Sequence, residues 1–279
     1  MSTQKLTDRA LSTGVTLNDL VHIVDPNDLS QNPAGSSYKA TIQQVMDTIS
    51  DSTIMVLGSG IGSTERCGNQ NSALDDYTTV GGGFCNTSSG YGSVIGGGEL
   101  NTTIGLFSHI GGGCRNTTLG LKSVIGGGSL NNAEGNISFI GGGAENTITG
   151  IGSVIGGGST NSVTGDNSFI GSGINNSVSG QSSTISGGYV NTISGYYSSI
   201  VGGISNNVTT DFGGILGGSG NTVNQNCSFI VGNGITTSCP NTTYMNCLSI
   251  MDLQDGPAGL LSGSVYYCST DSNRLYYVP

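Results

Sequence analysis

The sequence predicts an all-β chain. Its centre is a parallel β-roll of about 11 fifteen-residue repeats, with a small α/β module before it and a β-hairpin cap after it. Three observations predict this class. A pattern of 15 residues recurs from about residue 77 to about residue 236 without one insertion. Gly supplies 50 of the 279 residues, more than twice the ~7% of ordinary proteins. No Pro stands between Pro33 and Pro240, as an unbroken hydrogen-bonded ladder requires.

The repeat justifies the elements in turn. Ile recurs at Ile95, Ile110, Ile125, Ile140, Ile155, Ile170, Ile185, Ile200, Ile215 and Ile230, and Val80 opens the series. Asn recurs at Asn86, Asn101, Asn116, Asn131, Asn146, Asn161, Asn176, Asn191, Asn206 and Asn221. Ser stands two residues before each Ile from Ser93 to Ser228, broken once by Gly213. The unit reads S-[VF]-I-G-G-G-x-x-N-T-x-x-G-x-x. Stacking explains such regularity: if each repeat makes one coil, identical positions lie ~4.8 Å apart, as in neighbouring strands. One inserted residue would turn every apolar side chain to the wrong face. A helical repeat is excluded, because so short a unit with three or four Gly cannot hold a helix pair.

Each unit holds two short strands. In S-[VF]-I, alternation puts Ser and Ile on one face and the middle residue on the other. That middle residue is Val94, Val124, Phe139, Val154, Phe169 or Phe229, so the second face is apolar too. In T-[VI]-[ST], clearest at Ile148, Val163, Val178, Ile193, Val208 and Val223, only one face is apolar. The interior needs one face of each strand. The spare apolar face of the first strand calls for another cover, and further copies of the chain are the simplest one. The Gly-Gly-Gly step supplies positive φ or close backbone approach at one corner, and the lone Gly, such as Gly120, marks the opposite corner. Asn three residues after the triplet caps the turn and stacks its amide on the Asn above and below.

Composition removes several function classes. Lys+Arg number 7 against 17 Asp+Glu, net charge −10, which excludes a basic nucleic-acid surface. Residues 1–14 hold no apolar run of a secretory signal, and no stretch reaches the ~18 apolar residues of a membrane helix. Cys67, Cys85, Cys114, Cys227, Cys239, Cys247 and Cys268 are odd in number and form no C-x-x-C, so they read as scattered thiols and not as a metal or redox motif. Disulfides between neighbouring chains are the second reading of them.

The chemistry that Gly-rich runs invite is missing. No G-K-[ST] follows any Gly run, and Asn, as at Asn101, takes the place of the third Gly in G-x-G-x-x-G. No Asp recurs in phase as calcium-binding nonapeptides need. Paired carboxylates ~5–9 Å apart would serve glycan cleavage. The array offers Glu99, Glu134, Glu145, Asp166 and Asp211, each alone in its turn. His22 and His109 lack companions, and no G-x-S-x-G occurs. The sequence therefore predicts no catalytic residue, metal or cofactor. A hydroxyl row, Thr87, Thr102, Thr117, Thr147, Thr192 and Thr222, raises an ice-binding alternative, but Asn132 and Asn207 interrupt it and no T-x-T lattice accompanies it. The N-x-[ST] sequons follow from the abundance of Asn, Ser and Thr.

At the ends the composition changes. Residues 1–52 hold 9 of the 24 charged residues. There L-N-D-L-V-H-I-V-D-P (17–26) reads as a strand at His22, Ile23 and Val24 closed by Asp25-Pro26. Next, S-S-Y-K-A-T-I-Q-Q-V-M-D-T-I (36–49) has Tyr38, Ile42, Val45, Met46 and Ile49 at helical spacing, with Ser36 or Ser37 as cap. Toward the C-terminus Tyr244, Tyr266, Tyr267, Tyr276 and Tyr277 cluster. The runs Val265-Tyr266-Tyr267-Cys268 and Arg274-Leu275-Tyr276-Tyr277-Val278 flank residues 269–273 and read as a hairpin. Tyr presents an apolar face and a hydroxyl suited to sugars, so these five are the candidate receptor contacts. Tyr packed in an assembly core is the competing reading.

The S-V-I-G-G-G-x-x-N-T-x-x-G pattern resembles the head repeats of trimeric autotransporter adhesins and related repeats of viral and phage fibres. Family heads more often run one position shorter, as S-V-A-I-G-x-x-A-x-A-x-G-x-x. Here the unit carries an extra Gly and an Asn. The resemblance implies a trimer of left-handed parallel β-rolls. Residues 17–26 and 36–49 look like the N-terminal modules of phage tail fibres. D-G-P-A-G-L-L (255–261) is similar to the turn before terminal hairpins in such fibres. No signal or C-terminal membrane barrel is read, so the expectation leans to the fibre and away from the secreted adhesin.

The expected organisation is an attachment module (1–52), a connector (53–76), the roll shaft (77–236) and a Tyr-rich cap or tip (237–279). The expected protein is a homotrimeric, non-enzymatic virion fibre subunit. It would be held to a tail or capsid protein by its N-terminal module and would offer its tip to a host-surface glycan or protein. It would have no nucleic-acid partner and no membrane insertion. A cell-surface trimeric adhesin and a fibre-borne polysaccharide hydrolase are the alternatives.

Overall fold

The computed structural model describes residues 20–25, 36–41, 55–66, 70–246, 265–268 and 274–277. Side chains are described for residues 57–65 and 70–246. The chain is an all-β parallel solenoid of about 12 coils, with no helix among the described residues.

Strands β1 (Leu20–Asp25) and β2 (Ser36–Thr41) pair antiparallel, with Ile23 opposite Tyr38. This corrects the expected helix from Ser36 or Ser37 at its first turn. Residues 36–41, S-S-Y-K-A-T, alternate in a way that suits a strand, and the register with β1 satisfies their backbone groups in pairs. The remainder of the expected helix, residues 42–49, lies outside the described residues. At the other end β28 (Val265–Cys268) and β29 (Arg274–Tyr277) form the expected hairpin, with Tyr266 opposite Tyr276.

Between these ends each repeat unit makes one coil. The first ladder begins with β3 (Met55–Leu57) and β4 (Thr64–Arg66). It continues as β6 (Thr79–Val80) and β8 (Val94–Ile95), and thereafter every second strand up to β26 (Phe229–Val231) and β27 (Thr243–Met245). The second ladder begins with β5 (Ser72–Ala73) and β7 (Thr87–Ser88) and ends at β25 (Thr222–Val223). All pairs are parallel and in register except β3 with β4, which is antiparallel. Most strands are only two residues long because the chain must turn three times within each unit.

A third row runs between the two ladders. Single parallel bridges link Phe84 to Glu99, Glu99 to Cys114, and so on to Ile204 and Ser219. This row has no sequence signature, since its residues are Phe, Glu, Cys, Ser, Ala, Ile or Tyr. One further coil precedes the predicted repeats, within the connector: Glu65 pairs with Val80, and Ser72 with Thr87. Ser63 and Asn71 keep the phase of the Ser and Asn ranks, but Glu65 stands where Ile is expected, which hid this coil.

Three positions per coil have positive φ. The third Gly of the triplet is one: Gly98 has φ 93°, and a Cβ there would collide with Gly113 O of the next coil. The other two are filled by ordinary residues, such as Leu100 at φ 56° and Phe107 at φ 55°, although this region costs an L-residue about 1–2 kcal/mol. The hydrogen bonds show the return. Glu99 N donates forward to Gly113 O, whereas Leu100 N donates backward to Phe84 O. The left-handed turn reverses the N–H along the roll axis, so the corner remains satisfied on both sides. The lone Gly at the remaining corner has a different cause: Gly105 runs so close to the next coil that a Cβ would collide with Gly120 O.

Candidate functional surfaces

The interior is built from three ranks. Val80 and the ten Ile from Ile95 to Ile230 are all 0% exposed. Facing them on the second ladder are Ile148, Val163, Val178, Ile193, Val208 and Val223, equally buried. In earlier coils that place is taken by Ser88, Thr103 and Thr118. Their hydroxyls pair with the Ser rank, with Ser93 Oγ 2.7 Å from Ser88 Oγ and 2.9 Å from Thr103 Oγ1. Thr118 Oγ1 donates to Ser108 Oγ at 2.9 Å. In these coils the buried hydroxyls are thus matched to one another, as burial demands, whereas Ser138 Oγ, whose coil carries Ala133 in that place, has no partner.

The Asn rank forms a continuous amide ladder, and it begins one coil before the predicted series, at Asn71. Asn86 Nδ2 and N both donate to Asn71 Oδ1 at 3.1 Å. The same pair of bonds recurs in every coil through Asn221, whose N and Nδ2 donate to Asn206 Oδ1 at 3.1 and 2.9 Å. Each amide nitrogen also reaches two carbonyls. Asn146 Nδ2 lies 3.1 Å from Gly142 O and 3.0 Å from Gly158 O. One side chain therefore fastens the glycine corner of its own coil to the coils on both sides. Ile235 N closes the ladder by donating to Asn221 Oδ1 at 3.0 Å.

The two ends of the Ile rank are plugged by polar atoms. At the first end Glu65 Oε2 accepts the Ala73 amide at 2.7 Å, and Ala73 O accepts Ser59 N at 2.8 Å. These contacts occupy the outer edge of the second ladder, while antiparallel β3 covers that of the first. Open edges would template pairing with other chains. At the last end Tyr244 stands in register with Ile230 and packs against the core. Its hydroxyl accepts Ser238 N at 2.9 Å and Cys239 N at 2.7 Å. Tyr244, expected among receptor contacts, thus has both its ring and its hydroxyl engaged in closing the roll. Removing that hydroxyl by Tyr244→Phe leaves two amides without this partner. The expected cost is about 1 kcal/mol, read from the denaturation midpoint. Tyr266, Tyr267, Tyr276 and Tyr277 lie on β28 and β29, and their side chains fall outside the described residues.

The charged residues have structural tasks or stand apart. Asp166 Oδ1 accepts Ile151 N and Asp211 Oδ1 accepts Tyr196 N, both at 2.8 Å. Each clamps the coil before it, as Asp76 Oδ1 does for Ile61 N at 2.7 Å. Asp166 and Asp211 are three coils apart, roughly 14 Å at the parallel-strand spacing, wider than a glycosidase pair. Among the described residues no group of three or more His, Cys, Asp or Glu is placed to hold a metal. Cys85, Cys114, Cys227 and Cys239 are free thiols. The Thr row lies on the outer face of the second ladder, half-buried in most coils. The outward position two residues on is also Thr in one of its coils, at Thr147 and Thr149, so the row makes no lattice.

What remains is surface. The outward residues of the first ladder are apolar in six coils, at Val94, Val124, Phe139, Val154, Phe169 and Phe229, and His109, Thr184, Ser199 and Gly214 interrupt them; Phe139 is 43% and Phe169 40% exposed. A second apolar line runs along the left-handed corner just before that ladder. There Tyr77, Tyr91 and Phe107 stack edge to face with ring centroids 5.4 Å apart. The rings of Tyr77 and Phe107 lie over Gly62 and Gly92 of the coil before. Tyr197 and Phe212 stack face to face farther along. The spare apolar face expected at Val94, Val124, Phe139, Val154, Phe169 and Phe229 is thus on the outside of the roll, while the corner line has no single period in the sequence, because its residues alternate between two adjacent phases. Comparison with protein-family models gives no match, and comparison with the curated proteins gives none either.

Proposed function

We propose that this chain is a structural, non-enzymatic fibre subunit of a virus, of the tail-fibre kind, and that it works as a homotrimer. The N-terminal module attaches the fibre to a tail or capsid protein. The roll is a shaft about 50 Å long, at ~4.8 Å per coil. The Tyr-bearing hairpin region is presented to the host surface, and the protein resides in the virion. One observation carries the reading: the outer side of the first ladder bears exposed or half-buried apolar residues in most coils, from Val94 to Phe169 and again at Val201, Leu216 and Phe229, which a lone soluble chain would have no reason to maintain. The resemblance of the repeats and of both ends to phage fibres supports the viral setting.

The test is the mass of the purified full chain by light scattering. The expected value is three times the 28.1 kDa of the chain. A value near 28.1 kDa overturns the trimeric fibre.

A further inference from the structure

Three copies round one axis cannot meet through a single flat face. A closed ring needs two different surfaces on each copy, one meeting the other on the next copy. We infer that these surfaces are the outer face of the first ladder and the left-handed corner ridge that adjoins it. The ridge of one copy lies along the ladder face of the next. This inference rests on the trimeric reading.

The ladder face is marked by charge. None of the seven charged residues between residues 77 and 236, from Glu99 to Asp211, lies on it, although Lys122, Asp166 and Asp211 fall in the phases of the ridge. From Thr79 to Val231 the outward strand residue and the glycine step after it contain no Asp, Glu, Lys or Arg. Depletion of charge is the compositional sign of an interface core.

The face is marked by volume as well. Through Phe169 the bulky residue stands at the outward strand position, with Gly two residues on. After the small pair Thr184 and Ser186, the outward position shrinks to Ser199 and Gly214. The position two residues on then grows to Val201 and Leu216, 51% and 50% exposed. Apolar bulk is missing at the coil of Thr184 and Ser186 and returns in the next column at Val201 and Leu216, on the same face, while the Phe229 ring of the same chain fills the space beside Gly214. A solvated surface has no need of such compensation, whereas a surface pressed against a regular partner has.

A second copy fits as the occupant. It carries the same ~4.8 Å period along the whole length. Rotation about an axis parallel to the roll puts equal coils at equal heights. The face measures roughly 50 by 15 Å, about 750 Å², close to the ~800 Å² per partner of a stable interface. The ridge supplies the complement: Ile137, Tyr197 and Phe212 are 61%, 58% and 58% exposed. The ridge also carries Lys122, Asp166 and Asp211, while the third row carries Glu99 alone, so it is the paired rings of Tyr77, Tyr91 and Phe107 and of Tyr197 and Phe212, and not charge, that favour the ridge.

The experiment replaces Ile137 by the photo-crosslinking residue benzoylphenylalanine in the full chain, with the same probe at Thr164, on the second ladder, as control. Illumination of the Ile137 form is expected to give covalent dimers and trimers. Their cross-linked peptides should map to residues 139–143 or 154–158 of the neighbouring copy, and the Thr164 form should give none. A trimeric mass with cross-links to residues 144–149, or from Thr164, overturns this seam and leaves the trimer standing. A monomeric mass for the unlabelled chain overturns both. As a second variant, Val154→Lys puts a charge on the open face without entering the core. It is expected to cut the mass to one third while the far-ultraviolet dichroism persists, whereas an unchanged trimer overturns the assignment of the face.

Discussion

Ile155→Asp is expected to leave the chain without a continuous roll. Ile155 is 0% exposed and sits between Ile140 and Ile170 in the middle of the rank. Removing the aliphatic side chain alone costs about 2–5 kcal/mol. A carboxylate placed there adds several kcal/mol for desolvation without a partner. The total rivals the ~5–15 kcal/mol that holds an ordinary domain together. A coil array is held by contacts between neighbouring coils, so a break at the middle separates the two halves. Dichroism should lose its β signal and light scattering should show no defined assembly. Ile155→Val, which keeps the shape, should cost about 1 kcal/mol. A wild-type spectrum and mass for Ile155→Asp would refute this packing.

Asn146→Ala is expected to be the most damaging polar truncation in the shaft. Its side chain accepts Asn161 N at 3.0 Å and donates toward Gly142 O at 3.1 Å and Gly158 O at 3.0 Å. Gly158 O keeps the Ala144 amide at 2.9 Å, but Asn161 N and Gly142 O lose these partners. Two such groups cost about 2–6 kcal/mol together, at ~1–3 kcal/mol each. Thr147→Ala, one residue on but facing outward, should change stability by less than about 0.5 kcal/mol. The comparison is made by denaturant midpoint at equal chain concentration, since assembly makes stability depend on concentration. Equal midpoints for the two variants would mean that the amide ladder is ornamental.

These two residues show why so much of the roll was legible. Ile155 and Asn146 sit inside a coil where every identical position touches its own copy one turn away. The requirement for fit is therefore written again in every unit, and repetition exposes it. Where a position meets no such requirement, the sequence is silent. The third row tolerates Phe84, Glu99, Cys114 and Ala144 because a single bridge uses only backbone. The left-handed corners tolerate Leu100 and Arg115 because backward hydrogen bonds and the coils on both sides hold the turn, not the residue's own preference. Glu65 broke the pattern since a terminal coil must end the rank and close an edge, which Ile cannot do.

The helix expected from Ser36 failed for a related reason. Its spacing was carried by Tyr38 together with residues beyond 41, and pairing with Leu20–Asp25 claimed the first six residues for a strand. Local periodicity is a weak constraint where a partner strand offers a full set of hydrogen bonds. Tyr244 also changed role through a distant partner: its place above Ile230 is set by a coil that closes one residue short.

By itself the sequence determined the coil length, the parallel register, the Ile and Asn ranks, the spare apolar face and the terminal hairpin. All of these follow from one residue meeting its equivalent a fixed distance along the chain. The tertiary structure alone decided the third row, the corner conformations, the first coil, the plugs at Glu65 and Tyr244, and the ridge beside the open face. These depend on which backbone groups and side chains from different phases come together when the coil closes, and no period in the sequence records that.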